Sequence, residues 1–176
     1  MVQSVELVLD GAADAAVRTQ WAALAEAGLP SQADHTSPSN APHVTVGVAD
    51  DIDETVESRL KSTVDALPLP VTLGPLVLLG GSRVVLAQMV IMTAPLLHLH
   101  AAVAAAMDGC PGQSDYLQPG QWVPHVTLAG RLKPEMIPDA VAVLRAHARS
   151  GHEPPMKAVS LRRWDSVERR TWIIGT

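Results

Sequence analysis

The strongest constraint on the fold is an internal repeat that runs through most of the chain. The tetrapeptide Pro-His-Val-Thr stands in APHVTVGVA and returns eighty-two residues later in WVPHVTLAG. Upstream of each copy, GLPSQADHTSP and GCPGQSDYLQP share Gly, Pro, Gln, Asp and Pro at the same five relative positions. This repeat predicts one domain with two equivalent halves, at about residues 2–80 and 82–165, and a C-terminal strand at 167–175.

Hydrophobic periodicity predicts the same order of elements, β-α-β-α-β, in both halves. Helices are expected where apolar side chains recur at helical spacing, at residues 11–28, 53–67, 93–109 and 134–149. Each Pro-His-Val-Thr motif opens the middle strand of its half. The expected fold is therefore α+β and bilobal, in which each half forms a mainly antiparallel sheet backed by helices and a central cleft separates the motif strands.

The motifs supply a pair of histidines and a pair of threonines. Residues two apart on a strand share a face, so His43 lies beside Thr45 and His125 beside Thr127. One imidazole can take a proton from an attacking water while the other gives a proton to a leaving oxygen, and threonine hydroxyls can bond phosphate oxygens. These four residues are candidates for phosphodiester chemistry that needs no metal or other cofactor. The alternative is two core histidines satisfied by backbone carbonyls and inherited through duplication.

The same alternation adds three residues to the candidate site. Gly47 and Ala129 follow at the next positions on the motif face, where their small side chains predict a hollow beside each imidazole. Arg131 continues this face on the second strand. It is a candidate phosphate ligand, or else an exposed arginine at the strand end.

Three residues in the loops that enter the motif strands are candidate substrate contacts. His35 and Tyr116 occupy equivalent repeat positions, where they would stack on a base or sugar, or serve as ordinary loop residues. Trp122 precedes the second motif and either walls the cleft or packs in the core. Two arginine pairs flank a predicted final hairpin, namely Arg162 with Arg163 and Arg169 with Arg170. We expect them to be solvated edge-strand residues, and contact with phosphate is the alternative.

These motifs resemble those of the 2H phosphoesterase superfamily, in particular its bacterial 2′-5′ RNA ligase-like branch. The resemblance rests on PHVTV and PHVTL, the WVPHVTLA context, the duplicated plan and the chain length, and it covers essentially the whole sequence. It implies metal-independent hydrolysis of a 2′,3′-cyclic phosphate by His43 and His125, with Thr45 and Thr127 as phosphate ligands. We assign His125 as the base and His43 as the acid. Ligation would be the reverse reaction, catalysed by the same residues.

Composition restricts the partners of such a site. A net charge of −5, no Phe and a single Tyr argue against long nucleic acid, which usually binds to a basic surface. We therefore expect a nucleotide or short RNA end carrying a cyclic phosphate as the partner, and neither DNA nor a membrane. The alternative function is a nucleotide or RNA-end binding module with weak catalysis in the same cleft.

Three further expectations concern the chain as a whole. Val84 to Met107 has no charged residue, but Thr93 and Pro95 predict a helix start within it, which argues against a membrane span. The single cysteine, Cys110, and an N-terminus without a basic and apolar leader favour a cytoplasmic location. We also expect a monomer.

Overall fold

The computed structural model describes residues 2–80, 82–147 and 155–175 and confirms the α+β class. The described strands are β1 (Gln3–Leu9), β2 (His43–Ala49), β3 (Leu69–Val71), β4 (Leu73–Leu79), β5 (Val84–Val90), β6 (His125–Leu132), β7 (Met156–Asp165) and β8 (Arg170–Ile173). The described helices are α1 (Gly11–Glu26), α2 (Glu54–Lys61), α3 (Ala94–Ala106) and α4 (Ile137–Ala146). No helix of the described segments has the length and apolar character that a membrane crossing requires.

Local sequence explains where the helices begin. The side chains of Asp10, Asp53 and Thr93 each accept a hydrogen bond from a backbone N–H in the first turn of α1, α2 and α3. The expected helix at 53–67 is shorter, because the chain leaves α2 after Lys61 and makes a 3₁₀ turn at Val64–Ala66. The expected helix at 134–149 starts with a 3₁₀ turn at 134–136 and becomes α4 only from 137; residues 148 and 149 lie outside the described segments.

The strands form two sheets whose membership crosses the repeat boundary. The first sheet has the order β2-β1-β7-β3, with β8 also paired to β7, and the second has the order β4-β5-β6. The prediction that each half builds its own sheet is wrong, because β4 of the first half pairs with β5 and β7 of the second half pairs with β1. The reason for the first exchange is the short turn after Leu79, which brings β4 back antiparallel to β5. This exchange ties the two halves into one structure.

Both motif strands lie at sheet edges, and they contact each other. In the first sheet, Glu6 pairs with Thr45 whereas Val5 pairs with Gly47, so β2 contains one extra residue at this point. Such a β-bulge breaks the alternation of faces. Gly47 therefore turns into the core, where an added Cβ would overlap the sulfur of Met107.

The second motif strand has a bulge at the same repeat position. Ala87 pairs with Thr127 and Leu86 pairs with Ala129, so Leu128 is the extra residue in β6. Ala129 is completely buried as a result. The prediction that Gly47 and Ala129 leave hollows beside the imidazoles is thus wrong, because the bulges send both small residues to the core side.

Candidate functional site

The two motif imidazoles are held in the same way. Nδ1 of His43 lies 2.8 Å from the carbonyl oxygen of Ala41, and Nδ1 of His125 lies 2.7 Å from that of Val123. A carbonyl oxygen only accepts, so each Nδ1 carries a hydrogen and donates it. The proline between each pair favours an extended residue before it, which brings that carbonyl close to the ring. Both rings are partly exposed and keep Nε2 as the second nitrogen for proton transfer.

The motif threonines lie on partly buried positions next to the histidines, and each one receives an indole hydrogen bond through its backbone. Trp122 Nε1 donates to the carbonyl oxygen of Thr45 over 3.0 Å, and Trp21 Nε1 donates to that of Thr127 over 2.9 Å. Each tryptophan belongs to the opposite half of the repeat from its threonine. Edge strands leave outward carbonyls unpaired, so these bonds satisfy them and join the halves at the motifs.

Sequence reasoning did not identify the bond that Trp21 makes to the second motif. The two tryptophans do not occupy equivalent positions in the repeat, since Trp21 lies in α1 and Trp122 precedes β6. The repeat therefore gave no signal for this pairing. Trp122 is 5% exposed and also lines a cavity beside His125.

His100 supports Trp122 from α3. The two rings stack with centroids 4.0 Å apart and an interplanar angle of 7°. His100 Nε2 lies 3.0 Å from the carbonyl oxygen of Leu117, to which it donates. Burial lowers the pKa of His100, and the bond to Leu117 opposes this only in part. A neutral His100 can therefore stack on Trp122 at neutral pH without burying a charge.

His43 has two charged neighbours that its sequence context did not indicate. Glu6 Oε1 lies 3.5 Å from His43 Nε2, and Arg162 Nη2 lies 3.3 Å from His43 Nδ1. Glu6 and Arg162 pair with each other over 2.7 Å, and Ser4 donates to the same carboxylate over 2.7 Å. Both charged residues are almost fully buried. Glu6 lies within β1 and Arg162 within β7, and alternation alone does not identify a polar face in either strand.

The expectation of solvated arginines at 162 and 163 is therefore wrong. Both side chains are buried in β7, which is an interior strand because β1, β3 and β8 all pair with it. Arg163 points to the other face of the sheet, where it donates to Glu57 over 2.7 Å and lies over the ring of Trp172. Arg169 and Arg170 lie at the exposed end of the hairpin, as expected.

A cavity of about 700 Å³ opens beside His125. Its walls are mainly apolar, and Gln121 contributes an amide. Tyr116 is 83% exposed at its mouth, where it is available to stack on a ligand. The lining residues are Leu79, Gly80, Tyr116, Leu117, Gln121, Trp122, Val123 and His125.

Arg131 and His35 lie elsewhere. Two register shifts separate Arg131 from the alternation of His125, so the expected shared face is not formed. Arg131 is exposed, has a positive φ of 56°, and lines a separate cavity of about 430 Å³ together with His35 and Asp34. The equivalence of His35 and Tyr116 in the repeat thus does not extend to a shared pocket.

Within residues 2–80, 82–147 and 155–175, no three His, Cys, Asp or Glu side chains cluster closely enough to hold a metal ion.

The site residues expected from the sequence fall into two groups in the structure. The motif residues lie on adjoining strands, Tyr116 and Trp122 lie beside His125, and His35 and Arg131 lie together in a different cavity.

Comparison with known families places these features in context. The sequence profile of the 2′-5′ RNA ligase superfamily matches residues 12–169, which include both motifs, Trp21 and Trp122. The chain belongs to this superfamily. None of the curated proteins compared with the chain is a significant match in sequence.

Solved structures confirm the fold of this superfamily member. Usb1 of Kluyveromyces marxianus superimposes with a TM-score of 0.54 at 15% identity, covering 98% of this chain and 97% of the other. The same protein with uridine monophosphate gives a TM-score of 0.56 at 14% identity, with the same coverage. A structure described as a phosphoesterase gives 0.54 at 17% identity over 97% of this chain and 92% of the other. These similarities cover 97–98% of this chain.

Proposed function

We propose that this member of the 2′-5′ RNA ligase superfamily is a metal-independent phosphodiesterase that opens the 2′,3′-cyclic phosphate of a nucleotide or short RNA end. The observation that carries the proposal is the identical hold on His43 and His125. Two imidazoles on adjoining strands each donate Nδ1–H to the backbone and keep Nε2 for the substrate. Two structural histidines related by duplication would share this backbone bond, but they would lie in the core, whereas both rings here are partly exposed.

The proposed steps use both nitrogens and both hydroxyls. His125 Nε2 takes a proton from the attacking water, and the water oxygen bonds to phosphorus. The bond from phosphorus to the 2′ or 3′ oxygen breaks, and His43 Nε2 gives a proton to that oxygen. Thr45 and Thr127 hydroxyls donate to the non-bridging oxygens and stabilise the charge that develops on them. Ligation of an RNA end with a hydroxyl in place of water would use the same groups.

The cavity beside His125 supports a nucleotide as the substrate. It has enough volume for a base and sugar, and ligand sites are commonly apolar with a few polar groups. The uridine monophosphate in the Usb1 structure is in keeping with this proposal, because that protein has the same fold. The acidic net charge supports a small substrate rather than long RNA.

The decisive experiment removes each imidazole separately. His43→Ala and His125→Ala should each lower kcat/KM for 2′,3′-cyclic nucleotides by about 10²-fold to 10⁴-fold, the usual contribution of a general acid or base. Assays are run in EDTA, and thermal unfolding of each variant is measured in parallel. Full turnover by either folded variant would refute the two-histidine mechanism.

A binding module that has lost useful catalysis is the second candidate. The observation in its favour is the distance of His35 and Arg131 from the cavity beside His125, which leaves few polar groups there. Calorimetric titration with 2′,3′-cyclic nucleotides separates the two functions. Micromolar binding without hydrolysis over hours would support the module, whereas turnover would exclude it.

A further inference from the structure

Although the chain is duplicated, the two motif strands have different neighbours. In the first sheet, the pairing of β7, β1 and β2 places Arg162, Glu6 and Thr45 side by side in one row. Paired residues in antiparallel strands share a face, so all three side chains point towards the His43 side. This face therefore carries a buried ion pair directly behind the first motif.

The corresponding row in the second sheet is apolar. The pairing of β4, β5 and β6 places Val77, Ala87 and Thr127 side by side. Ala87 thus occupies the place of the carboxylate, and it is completely buried. Apart from the carbonyl of Val123, the described residues offer no hydrogen-bond or ion-pair partner to His125. The two imidazoles have the same backbone contact in contrasting electrostatic surroundings.

We propose that Glu6 and Arg162 form a charge-compensated positioning pair that allows His43 to serve as the general acid. This inference rests on the proposed function, because it assigns the roles of the two histidines within it. His125 has no such pair behind it, because Ala87 occupies the position that corresponds to Glu6, and this contrast carries the assignment of roles.

Each ring nitrogen of His43 has an acceptor oxygen nearby. Nδ1 donates to Ala41 at 2.8 Å, and an N–H on Nε2 would face Glu6 Oε1 at 3.5 Å. Only the imidazolium places a hydrogen on both nitrogens. The distance to Glu6 is too long for a strong hydrogen bond, so the Nε2 proton remains available for transfer to a leaving oxygen.

The positive charge of Arg162 would act against a proton on His43, but Glu6 offsets that charge. Its Nη2 lies 3.3 Å from Nδ1, and that nitrogen cannot accept from it because its hydrogen already points to Ala41. An unpaired guanidinium at this distance would repel a cationic ring. The 2.7 Å contact with Glu6 offsets this charge and also fixes the carboxylate beside Nε2.

Other elements packed against β2 bring no further charge to the ring. They are β6, α3 and the 3₁₀ turn at residues 115–117. Their titratable residues, none of which lies within hydrogen-bond or ion-pair distance of His43 in the described structure, are His98, His100, Asp115, Tyr116, His125 and Arg131. The charge balance at His43 therefore depends on Glu6 and Arg162.

The test compares pH–rate profiles, in which the alkaline limb reports loss of the proton from the acid. Glu6→Gln leaves Arg162 uncompensated and should move this limb to lower pH by about one unit, whereas Arg162→Gln leaves Glu6 alone and should move it to higher pH by a similar amount. The double variant should return the limb towards its original position. Shifts in the same direction, or no shift, would overturn the proposal.

Two controls make the result specific. Glu57→Gln breaks an arginine–carboxylate contact of the same 2.7 Å length on the opposite face of the sheet, and it should leave the alkaline limb in place. Removal of one partner of a buried pair can unfold a protein. If Glu6→Gln fails to fold, the double variant compared with Arg162→Gln still measures the effect of the Glu6 charge.

The outcome also distinguishes this inference from the proposed function. Full turnover by folded His43→Ala would refute the function itself. Loss of turnover in that variant, together with unmoved limbs in the Glu6 and Arg162 variants, would refute only the positioning role.

Discussion

The indole of Trp122 donates a hydrogen bond to the backbone of Thr45, which lies in the other half of the repeat. Trp21 makes the reciprocal bond to Thr127. Each half thus completes the outer edge of the motif strand in the other half. The candidate site is consequently a product of both halves, and neither half on its own contains all of its contacts.

Loss of this hydrogen bond should lower the stability of the fold. Trp122→Phe keeps an aromatic ring but leaves the Thr45 carbonyl without its donor, which should lower the free energy of unfolding by about 1–2 kcal/mol. Trp122→Ala also removes the stack on His100 and should cost about 3–5 kcal/mol. Urea unfolding measures both. Equal stability of Trp122→Phe and the unchanged protein would show that the bond contributes nothing.

The bulge in β2 makes Gly47 sensitive to substitution. A Cβ there would collide with the sulfur of Met107 and come within 3.1 Å of its methyl carbon. Gly47→Ala should therefore destabilise the protein by about 1–3 kcal/mol. Gly130→Ala is the matched control, because a Cβ there meets nothing within 4 Å, and its effect should stay within about 0.5 kcal/mol. Denaturant midpoints of the two variants decide the matter, and similar values would argue against this packing.

His100 should make stability depend on pH. Burial lowers its pKa in the folded protein, so the unfolded chain binds more protons as the pH falls below about 6.5, and the folded state loses stability. His100→Gln has no such group and should show a flatter decline in melting temperature between pH 7.5 and 5.5. Asp165 stays ionised in this range, because backbone N–H bonds from Glu168 and Val167 lower its pKa. If the melting temperatures of the unchanged protein and of His100→Gln fell with the same slope as the pH is lowered, the prediction would be contradicted.

Tyr116 should contribute to nucleotide binding rather than to chemistry. It is exposed at the mouth of the cavity beside His125, where its ring can stack on a base. Tyr116→Ala should raise KM for a 2′,3′-cyclic nucleotide about tenfold and change kcat little, since base stacking contributes about 1–3 kcal/mol. His35→Ala tests the equivalent repeat position in a different cavity and should leave both constants almost unchanged. A larger effect of His35→Ala would place the base elsewhere.

Sequence reasoning was successful where a signal was local or repeated. Helical periodicity located the helices, Thr93 marked the start of one of them, and alternation identified β2 and β6 with His43 and His125 at their first positions. It was wrong where a single inserted residue changes the face of everything after it. The bulges at Val46 and Leu128 have this effect, and no residue type in either motif predicts a bulge.

The amino-acid sequence by itself determined the duplication, the approximate positions of the helices and the paired His-x-Thr motifs, because periodicity and repetition can be read from the order of residues alone. The tertiary structure alone decided which strands exchange between the halves and which carbonyl accepts the hydrogen bond of Trp21. It also decided that Glu6 pairs with Thr45 in the first sheet, whereas Ala87 pairs with Thr127 in the second. The physical reason is strand pairing. Register between strands distant in sequence sets which side chains share a face, and that register depends on the packing of the whole chain.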